Sequence, residues 1–475
     1  MAEHRKLQVG IVGAGVAGLA AAIALARTGH HVQIFEKSSF KNEIGAAITL
    51  SPNANLILER WGFDFKAAGE TAKCQFRRLH WKTMNLEFQD SFDHVQAKYG
   101  HAFNAFHRVD LHREMRRIAE DKLGVQINLG SHVKKIDCPT GTLMLEDGRE
   151  IQNDLVVVAD GVKSQFVQAI TGRDLPFTQT NRSVFRTIIP MERLMEDEKI
   201  RPVLENEPSG FVTSALGAGQ DAFFVTYPCR DDKLMNIAIF HPTRPHLKSA
   251  EGKLLCWSAP ATLEDVDDVI SDFHPVWRAI ASKADSYNVY RVEHRNEVNQ
   301  MVNGRACIIG DAAHAMMPSK APSEAARFSV AKHGVNIAYA QGGCMALEDA
   351  AALEVLMADV NPEKDLETRL KLFEQLRLPR CATTQALSNH TWGNTFRDGF
   401  SQRIQQQFQH LLPPPGLNSF SSPWRDFFYS YNIYEEAEKA LKYKEIDSVP
   451  DGVLKWFGLN AVDGQSNGIQ STVVH

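Results

Sequence analysis

The chain has 475 residues, of which 44% are hydrophobic and 23% are charged. At about 150 residues per domain, a chain of this length divides into two or three domains. Its 52 Lys and Arg against 57 Asp and Glu leave a formal net charge of -5, which excludes the basic surface that nucleic acids and acidic membranes require. The seven cysteines show neither a CxxC motif nor clustering with histidine. We therefore expect no disulfide framework, no metal site and a reducing, cytoplasmic location.

The N-terminal apolar run predicts a strand and not a signal peptide. Gly13, Gly15 and Gly18 interrupt the run, and an amphipathic pattern follows. A membrane helix needs about 18 consecutive apolar residues, and the sequence contains no such stretch. We expect a soluble protein without a membrane span.

The first forty residues predict a strand, a glycine-rich turn, a helix and a second strand. Residues 13–18 read GAGVAG, and an Ala/Leu-rich helix then ends at Gly29 before HVQIFEK. Glu36 follows Gly18 by eighteen positions, close to the roughly 20-residue offset at which an acidic side chain meets a ribose hydroxyl. Glycines allow close approach of a pyrophosphate, and a carboxylate would repel a 2′-phosphate. The unit predicts binding of FAD or NAD rather than NADP, without choosing between the first two.

Two later apolar runs predict further parallel strands. They are DLVVVADG at 154–161 and RACIIGDAAH at 305–314, each with a polar doublet before a helical stretch. Between them, FRTIIP, DAFFVTYP and MNIAIFHP are β-branched and aromatic runs typical of an antiparallel sheet. After about 345 the sequence turns helical, and a proline-rich linker at 411–423 leads into a last short helical piece.

Four motifs together resemble those of the group A flavoprotein monooxygenases, especially the fungal salicylate-hydroxylase-like enzymes. They are GAGVAG with Glu36, FNAFHRVDLH at 103–112, ADGVKS at 159–164 and IIGDAAHAMMP at 308–318. The resemblance covers most of residues 7–390. It implies an α/β fold with a Rossmann-like FAD-binding domain, an inserted antiparallel β-sheet substrate domain and a C-terminal helical region. The expected bounds are 1–175 and 286–390 for the FAD-binding domain, 176–285 for the sheet domain and 391–475 for the helical region.

The resemblance also implies which residues bind FAD. Gly13, Gly15, Gly18 and Glu36 would hold the ADP half, and Asp311 would bind the ribityl chain. From the residues alone, an aspartate at the carboxyl end of a buried strand faces the ligand crevice of an open α/β sheet, or it simply caps the helix that follows. The other implied contacts are Asp160, which is associated with both FAD and the nicotinamide donor, and Ala47, Arg108 and Gly343.

Two residues of the predicted substrate sheet are candidates for catalysis. In related fungal enzymes an Arg and a Tyr, at places similar to those of Arg186 and Tyr227, lie beside the substrate and the flavin. An arginine stays cationic and stabilises a developing oxyanion, while a phenol donates to a substrate oxygen. The alternative is an edge-strand arginine and a half-buried core tyrosine. His314, beside the GD motif, is better interpreted as a capping or core histidine.

The helix expected directly after the GD motif is delayed by an insertion at 319–338, SKAPSEAARFSVAKHGVNIA. It lies in the loop that should pass over the pyrimidine edge of the flavin, and its excision restores the family pattern. Codons for Ser-Lys and for Val-Asn-Ile-Ala can contain splice-donor and branch sequences, so we infer a retained in-frame intron as a hypothesis. A genuine lid is the alternative, because long loops in compact domains are often functional.

The resemblance implies a monooxygenase of the EC 1.14.13 type. NAD(P)H reduces FAD, O2 adds at flavin C4a, and the hydroperoxide hydroxylates or epoxidises an electron-rich aromatic or related secondary-metabolite substrate. The protein excludes water, orients the substrate and polarises the peroxide, and no metal is needed. Two alternatives stay open. One is a flavin oxidase or dehydrogenase without oxygen insertion, and the other is a catalytically silent FAD-binding protein whose flavin loop the insertion disrupts.

Overall fold

The structure, a computed structural model, describes residues 5–39, 46–217, 222–244, 258–316, 341–389 and 422–444. The predicted insertion at 319–338 and most of the predicted helical region at 391–475 lie outside these residues. The strands, numbered in chain order, are β1 (Gln8–Val12), β2 (His31–Glu36), β3 (Ala47–Leu50), β4 (Thr71–Ala72), β5 (Gln75–His80), β6 (Leu86–Ser91), β7 (Asn104–His107), β8 (Gln126–Leu129), β9 (Val133–Asp137), β10 (Thr142–Leu145), β11 (Glu150–Gln152), β12 (Leu155–Val158), β13 (Phe177–Pro190), β14 (Phe211–Leu216), β15 (Phe223–Cys229), β16 (Leu234–Pro242), β17 (Ser258–Ala261), β18 (Tyr287–Arg295), β19 (Val302–Asn303) and β20 (Ala306–Ile308).

The helices of the same residues are also numbered in chain order, and a π-helical turn, Ile118–Lys122, extends the fourth. They are α1 (Val16–Arg27), α2 (Pro52–Arg60), α3 (His94–Tyr99), α4 (Arg108–Arg117), α5 (Val167–Thr171), α6 (Met191–Met195), α7 (Arg201–Leu204), α8 (Leu263–Ile270), α9 (Pro275–Ala281), α10 (Asp311–His314), α11 (Gln341–Met357), α12 (Leu366–Asn389), α13 (Ser422–Tyr429) and α14 (Ile433–Lys444). No helix in this part of the chain combines the length and apolar character needed to cross a membrane.

A six-stranded sheet forms the first layer of the fold. Five strands run parallel in the order β20-β12-β1-β2-β8, and β19 pairs antiparallel at one edge. β12, which reads LVVV, is buried along its whole length, as expected for a strand covered on both faces. Leu19 of α1 and Leu353 of α11 belong to the same buried core as the strands. The Rossmann-like unit predicted from the glycine motif is confirmed.

An eight-stranded sheet forms the second layer, in the order β17-β18-β13-β16-β15-β14-β5-β6. Its neighbours pair antiparallel, except that β5 and β14 are parallel. The parallel pair is possible because the two strands come from distant parts of the chain, which leaves room for a crossover. The sheet thus takes β5, β6 and β18 from outside the predicted segment 176–285. The predicted domain bounds stay predictions.

Alternation along β13 separates the two faces of this large sheet. Phe185 and Ile189 pack in one core with Trp277 of α9. Val184 lies on the opposite face and packs with Phe240. We call this second face, which also carries Arg186 and Tyr227 by register, the site face.

The hairpin between β15 and β16 fastens the large sheet to α4. Arg230 and the two residues after it have φ values of 52°, 54° and 56°, the left-handed region that non-glycine residues rarely adopt. The Arg230 guanidinium donates to both carboxylate oxygens of Asp110, at 2.6 and 3.1 Å, and lies 2.8 Å from His107 Nδ1. These bonds hold the strained turn against the start of α4.

The last described helix, α14, docks on α11 through one buried carboxylate. Glu354 Oε2 accepts from Tyr434 Oη at 2.9 Å and from Trp61 Nε1 at 2.6 Å. Its other oxygen accepts from Arg27 Nε at 3.0 Å. α14 is thereby linked to α1, α2 and α11, which confirms a helical element at this end of the fold.

We expect Tyr434→Phe to lower the free energy of unfolding by about 1–2 kcal/mol, because it removes one donor from a buried carboxylate. Tyr443→Phe, in the same helix, is the control, since Tyr443 packs against the core as a partly buried side chain. Urea unfolding followed by tryptophan fluorescence measures both. Equal stability of the two variants would contradict this role of Glu354.

Candidate active site

The glycine motif forms a tight turn between β1 and α1. Gly13 has φ 98°, and a β-carbon there would lie 2.6 Å from the Ala159 carbonyl oxygen. A β-carbon on Gly18 would collide with the Gly13 carbonyl oxygen. Gly15, by contrast, is the N-cap of α1, and a β-carbon there would meet no atom of the described residues within 4 Å. A helix N-terminus that faces open space in this way can bind an anion such as a pyrophosphate.

Glu36 closes the other side of the turn. Its Oε2 accepts from Ala14 N at 2.8 Å and its Oε1 from Ser38 N at 2.7 Å. The carboxylate thus lies at the carboxyl end of β2, beside the glycine turn, where a ribose would be held.

Asp160 and Asp311 follow adjacent parallel strands, since Val158 of β12 pairs with Ile308 of β20. Asp160 Oδ2 accepts from Gln165 N at 3.3 Å, whereas its buried Oδ1 has no hydrogen-bond partner among the described residues. Burial raises the pKa of Asp160. A buried, unsatisfied carboxylate oxygen needs a donor, and a hydroxyl-bearing ligand in the crevice would supply one.

Asp311 is exposed at the first position of α10. The N-cap of that helix is Gly310, with φ 60°, so the structure does not support the capping alternative for Asp311. A β-carbon on Gly342 would lie 3.9 Å from Asp311 Oδ1. The GD turn therefore faces the start of α11.

A buried aspartate of α11 holds the GD turn. Asp349 Oδ2 accepts from Gly310 N at 3.0 Å and lies 2.7 Å from His314 Nε2. Arg377 Nε of α12 donates to Asp349 Oδ1 at 2.9 Å. Although burial alone lowers the pKa of His314, Cys381 and Asp349 raise it well above its usual value. His314 is thus a core histidine in an ion pair.

His314, Asp349 and Cys381 also bring three potential metal-ligand atoms within 4.8 Å of one another. Arg377 occupies the position of a cation there, because its Nε bonds Asp349 and its Nη2 lies 3.6 Å from Cys381 Sγ. A guanidinium in that place repels a metal ion. The group is an ion-pair cluster.

Ala47, Arg108 and Gly343 come together around β3. Ala47 is opposite His107 in the β3–β7 ladder, and the Arg108 N–H donates to the Ala46 carbonyl at 2.8 Å. A β-carbon on Gly343 would lie 3.0 Å from Ile48 Cδ1, so α11 approaches β3 closely at this point. The Arg108 side chain is exposed.

Arg186 and Tyr227 lie on the site face, and Tyr227 also contacts β3. Tyr227 Oη donates to the Ala47 carbonyl at 3.3 Å. The Arg186 guanidinium lies 5.7 Å from the centre of the Tyr290 ring, and its buried Nε has no partner among the described residues. Burial lowers the pKa of Arg186 and raises that of Tyr227. The phenol therefore stays protonated and can donate a hydrogen bond.

Three residues near the site were not identified from the sequence. Asn236 accepts from Ala47 N at 3.2 Å, Asp349 holds the GD turn, and Lys73 lies on the Tyr227 ring. The acidic pair in CMALEDAAAL, inside an otherwise apolar helix, was a usable signal for Asp349. The amino-acid sequence around Lys73 and Asn236 contains no such signal.

The described residues on either side of the insertion lie close together. A β-carbon on Gly342 would lie 4.0 Å from Met316 Cγ. Met316 and Gly342, which lie before and after the insertion in sequence, are thus neighbours in the fold.

The comparisons with known proteins agree with this geometry. The FAD binding domain family matches residues 6–322. Hispidin-3-hydroxylase of Neonothopanus nambi is 29% identical over 451 residues, covering 92% of this chain and 97% of that protein. FAD-dependent monooxygenase cfoG of Aspergillus candidus is 31% identical over 395 residues, covering 81% and 85%.

Solved structures show the same fold. CtdE in complex with FAD and its substrate has a TM-score of 0.71 at 20% identity, and a salicylate hydroxylase substrate complex has 0.66 at 20%. Both comparisons cover 92% of this chain and 98% of the other. The chain belongs to the FAD-dependent monooxygenase family. It is an FAD-binding oxidoreductase.

Two glycine substitutions should separate folding from cofactor binding. Gly15→Ala should leave the fold intact, because its φ of -71° suits alanine, and should reduce FAD retention, because the methyl group occupies the open surface. Gly18→Ala should destabilise the protein itself. FAD occupancy by absorbance and apparent melting temperature of the FAD-free proteins measure the two effects. Full FAD occupancy in Gly15→Ala would refute the assignment of the pyrophosphate to this surface.

Deletion of residues 320–338 should leave FAD binding intact or improve it, because Met316 and Gly342, on either side of the insertion, already lie side by side. A shorter loop also carries a smaller closure cost, roughly 0.6 kcal/mol per doubling of length. FAD occupancy and substrate-stimulated NADPH oxidation of both forms, with the transcript sequenced across codons 315–345, provide the measurement. A less active deletion form and a mature transcript that keeps the segment would show a genuine lid.

Proposed function

We propose that this protein uses NAD(P)H and O2 to insert one oxygen atom into an electron-rich aromatic or related secondary-metabolite substrate. The observation that carries the proposal is that Arg186 and Tyr227 share one sheet face, on which Tyr227 reaches Ala47 of β3. The division of the chain into an FAD-binding part at 1–175 and 286–390 and a substrate-side part at 176–285 belongs to the same proposal.

The residues of the first sheet fit FAD. Gly13, Gly15 and Gly18 leave backbone N–H groups and open surface for the pyrophosphate, and Glu36 lies where the adenosine ribose would be held. Asp311 would accept hydrogen bonds from the ribityl hydroxyls, and Asp160 would contact FAD and the nicotinamide donor. Both carboxylates lie at the ends of neighbouring strands. Ala47, Arg108 and Gly343 would flank the flavin. When bound, FAD would supply the redox chemistry, because it can accept electrons from NAD(P)H and activate O2.

The site face would position the substrate. Tyr227 keeps its proton, so its phenol can donate to an oxygen of the substrate in place of the Ala47 carbonyl. Arg186 remains cationic and has an unsatisfied buried Nε, which can stabilise negative charge that develops on an oxygen during transfer.

Apolar side chains of the site face would exclude water. Phe223 and Phe240 stack with their ring centres 4.5 Å apart, and Val184 packs against them. Exclusion of water protects a reactive oxygen donor from hydrolysis and strengthens the electrostatic effect of Arg186. The names of the relatives, a hispidin hydroxylase among them, support hydroxylation as the reaction.

The test is incorporation of 18O from 18O2 into product, with a screen of phenolic compounds for stimulated NAD(P)H oxidation. Product with 18O supports a monooxygenase. An oxidised product without 18O would establish an oxidase or dehydrogenase, and retained FAD without NAD(P)H oxidation would establish a silent FAD-binding protein.

Arg186→Ala and Tyr227→Phe should lower the hydroxylation rate by about a hundredfold, the usual effect of removing one preorganised donor, while FAD occupancy is retained. Arg193→Ala is the control, because Arg193 pairs with the exposed Asp285 at 2.6 Å, away from the site face. Product formation by chromatography measures the effect. Loss of FAD or unfolding in the first two variants would return them to a structural role.

A further inference from the structure

Lys73 is a buried lysine that contacts Tyr227 of the site face. Its side chain is 5% exposed, and its Nζ makes no hydrogen bond within the described part of the chain. A buried ammonium without a partner is costly. The residue precedes β5, and its backbone N–H donates to the Phe103 carbonyl at 2.7 Å, so its position in the fold is fixed.

An aromatic ring lies against the ammonium of Lys73. Nζ lies 3.9 Å from the centre of the Tyr227 ring, within the distance at which a cation is attracted by the face of an aromatic ring. In the register of the large sheet, Arg186 is level with Val225, which precedes Tyr227 on β15. Cys229 follows Tyr227 on the same strand, so it lies on the other side. Lys73 lies on the Cys229 side, because a β-carbon on Gly210 would lie 3.3 Å from Lys73 Cα, and Gly210 N donates to Asp232 in the turn after Cys229. Tyr227 therefore lies between Arg186 and Lys73.

We propose that Lys73 is a positioning residue for Tyr227: its ammonium holds the phenol ring from the side away from Arg186 and makes productive oxygen transfer depend on the charge of Lys73. The inference rests on the proposed function and adds a residue that acts through Tyr227 without touching the substrate.

The surroundings of Lys73 place its ionisation near neutral pH. Burial lowers the pKa of Lys73 to about 7, while Cys229, Asp232 and Cys74 favour its charged form. Asp232 is also bonded to Ser209 and accepts from Gly210 N at 3.2 Å. Tyr227 stays neutral because burial raises its pKa. Below pH 7 the ammonium therefore attracts the ring, and above pH 7 the neutral amine does not.

The experiment measures the coupling fraction, which is product formed per NAD(P)H oxidised, between pH 6 and pH 8.5. The wild-type fraction should fall as the pH rises through 7. Lys73→Met should show a fraction lower by about fivefold or more at pH 6, because a cation–π contact has this effect at an exposed site and a larger one when desolvated, and no fall. Lys73→Arg should keep a high fraction across the range. Lys82→Met is the matched control, because Lys82 is an exposed lysine whose Nζ lies 5.7 Å from the Trp81 ring centre.

A pH profile that is the same in the wild type and in Lys73→Met would overturn the proposal. So would a loss of melting temperature in Lys73→Met with an unchanged coupling profile, which would show a purely structural role. If Lys73→Met does not fold, the comparison of Lys73→Arg with the wild type above pH 7 decides in its place.

A second measurement separates this inference from the proposed function. In protein labelled with 13C at lysine Cε, the signal that disappears in Lys73→Arg should titrate near pH 7 in the wild type. Titration near the ordinary lysine value overturns the inference even if the protein is a monooxygenase. Absence of any 18O-labelled product with normal titration near pH 7 would instead show that the proposed function fails.

Discussion

The site depends on one buried carboxylate, that of Asp349. Each of its two oxygens is bonded, one to the Gly310 N–H and His314 and the other to Arg377. The carboxylate therefore fixes the turn that presents Asp311, and it does so from α11, the helix that also brings Gly343 against β3. Removal of one partner from such a buried ion pair leaves an uncompensated charge, which typically costs about 3–5 kcal/mol.

β3 lies between two parts of the site whose residues are positioned in different ways. On one side are the glycine turn, Glu36 and the aspartates, all carried by the ends of parallel strands and therefore placed by the sheet itself. On the other side the site face is held by side-chain bonds, from Asn236 and Tyr227 to Ala47 and from Arg230 to α4. The cofactor side is thus set by backbone geometry, and the substrate side by polar contacts across a junction between two layers.

This difference explains what could be predicted from the sequence. The βαβ unit and the later parallel strands were predicted because apolar runs, glycines and a carboxylate at a fixed offset follow from local geometry. The pairing of β5 with β14 was not predicted, because no local pattern specifies a partner so far along the chain. Lys73 was missed for the same reason, since its significance comes only from the ring that it meets. The roles of Arg186, Tyr227 and the FAD contacts remain predictions.

The parallel pairing of β5 with β14 has a consequence for the order of folding. The pair joins Arg77 to Thr213, which are 136 residues apart in sequence. The large sheet therefore cannot be completed during synthesis until both segments have left the ribosome, and until then β5 has only β6 as a neighbour. Contacts of such long range form slowly because loop closure must precede them. Chains truncated before β14 would expose the edge of β5, and unpaired strand edges promote aggregation.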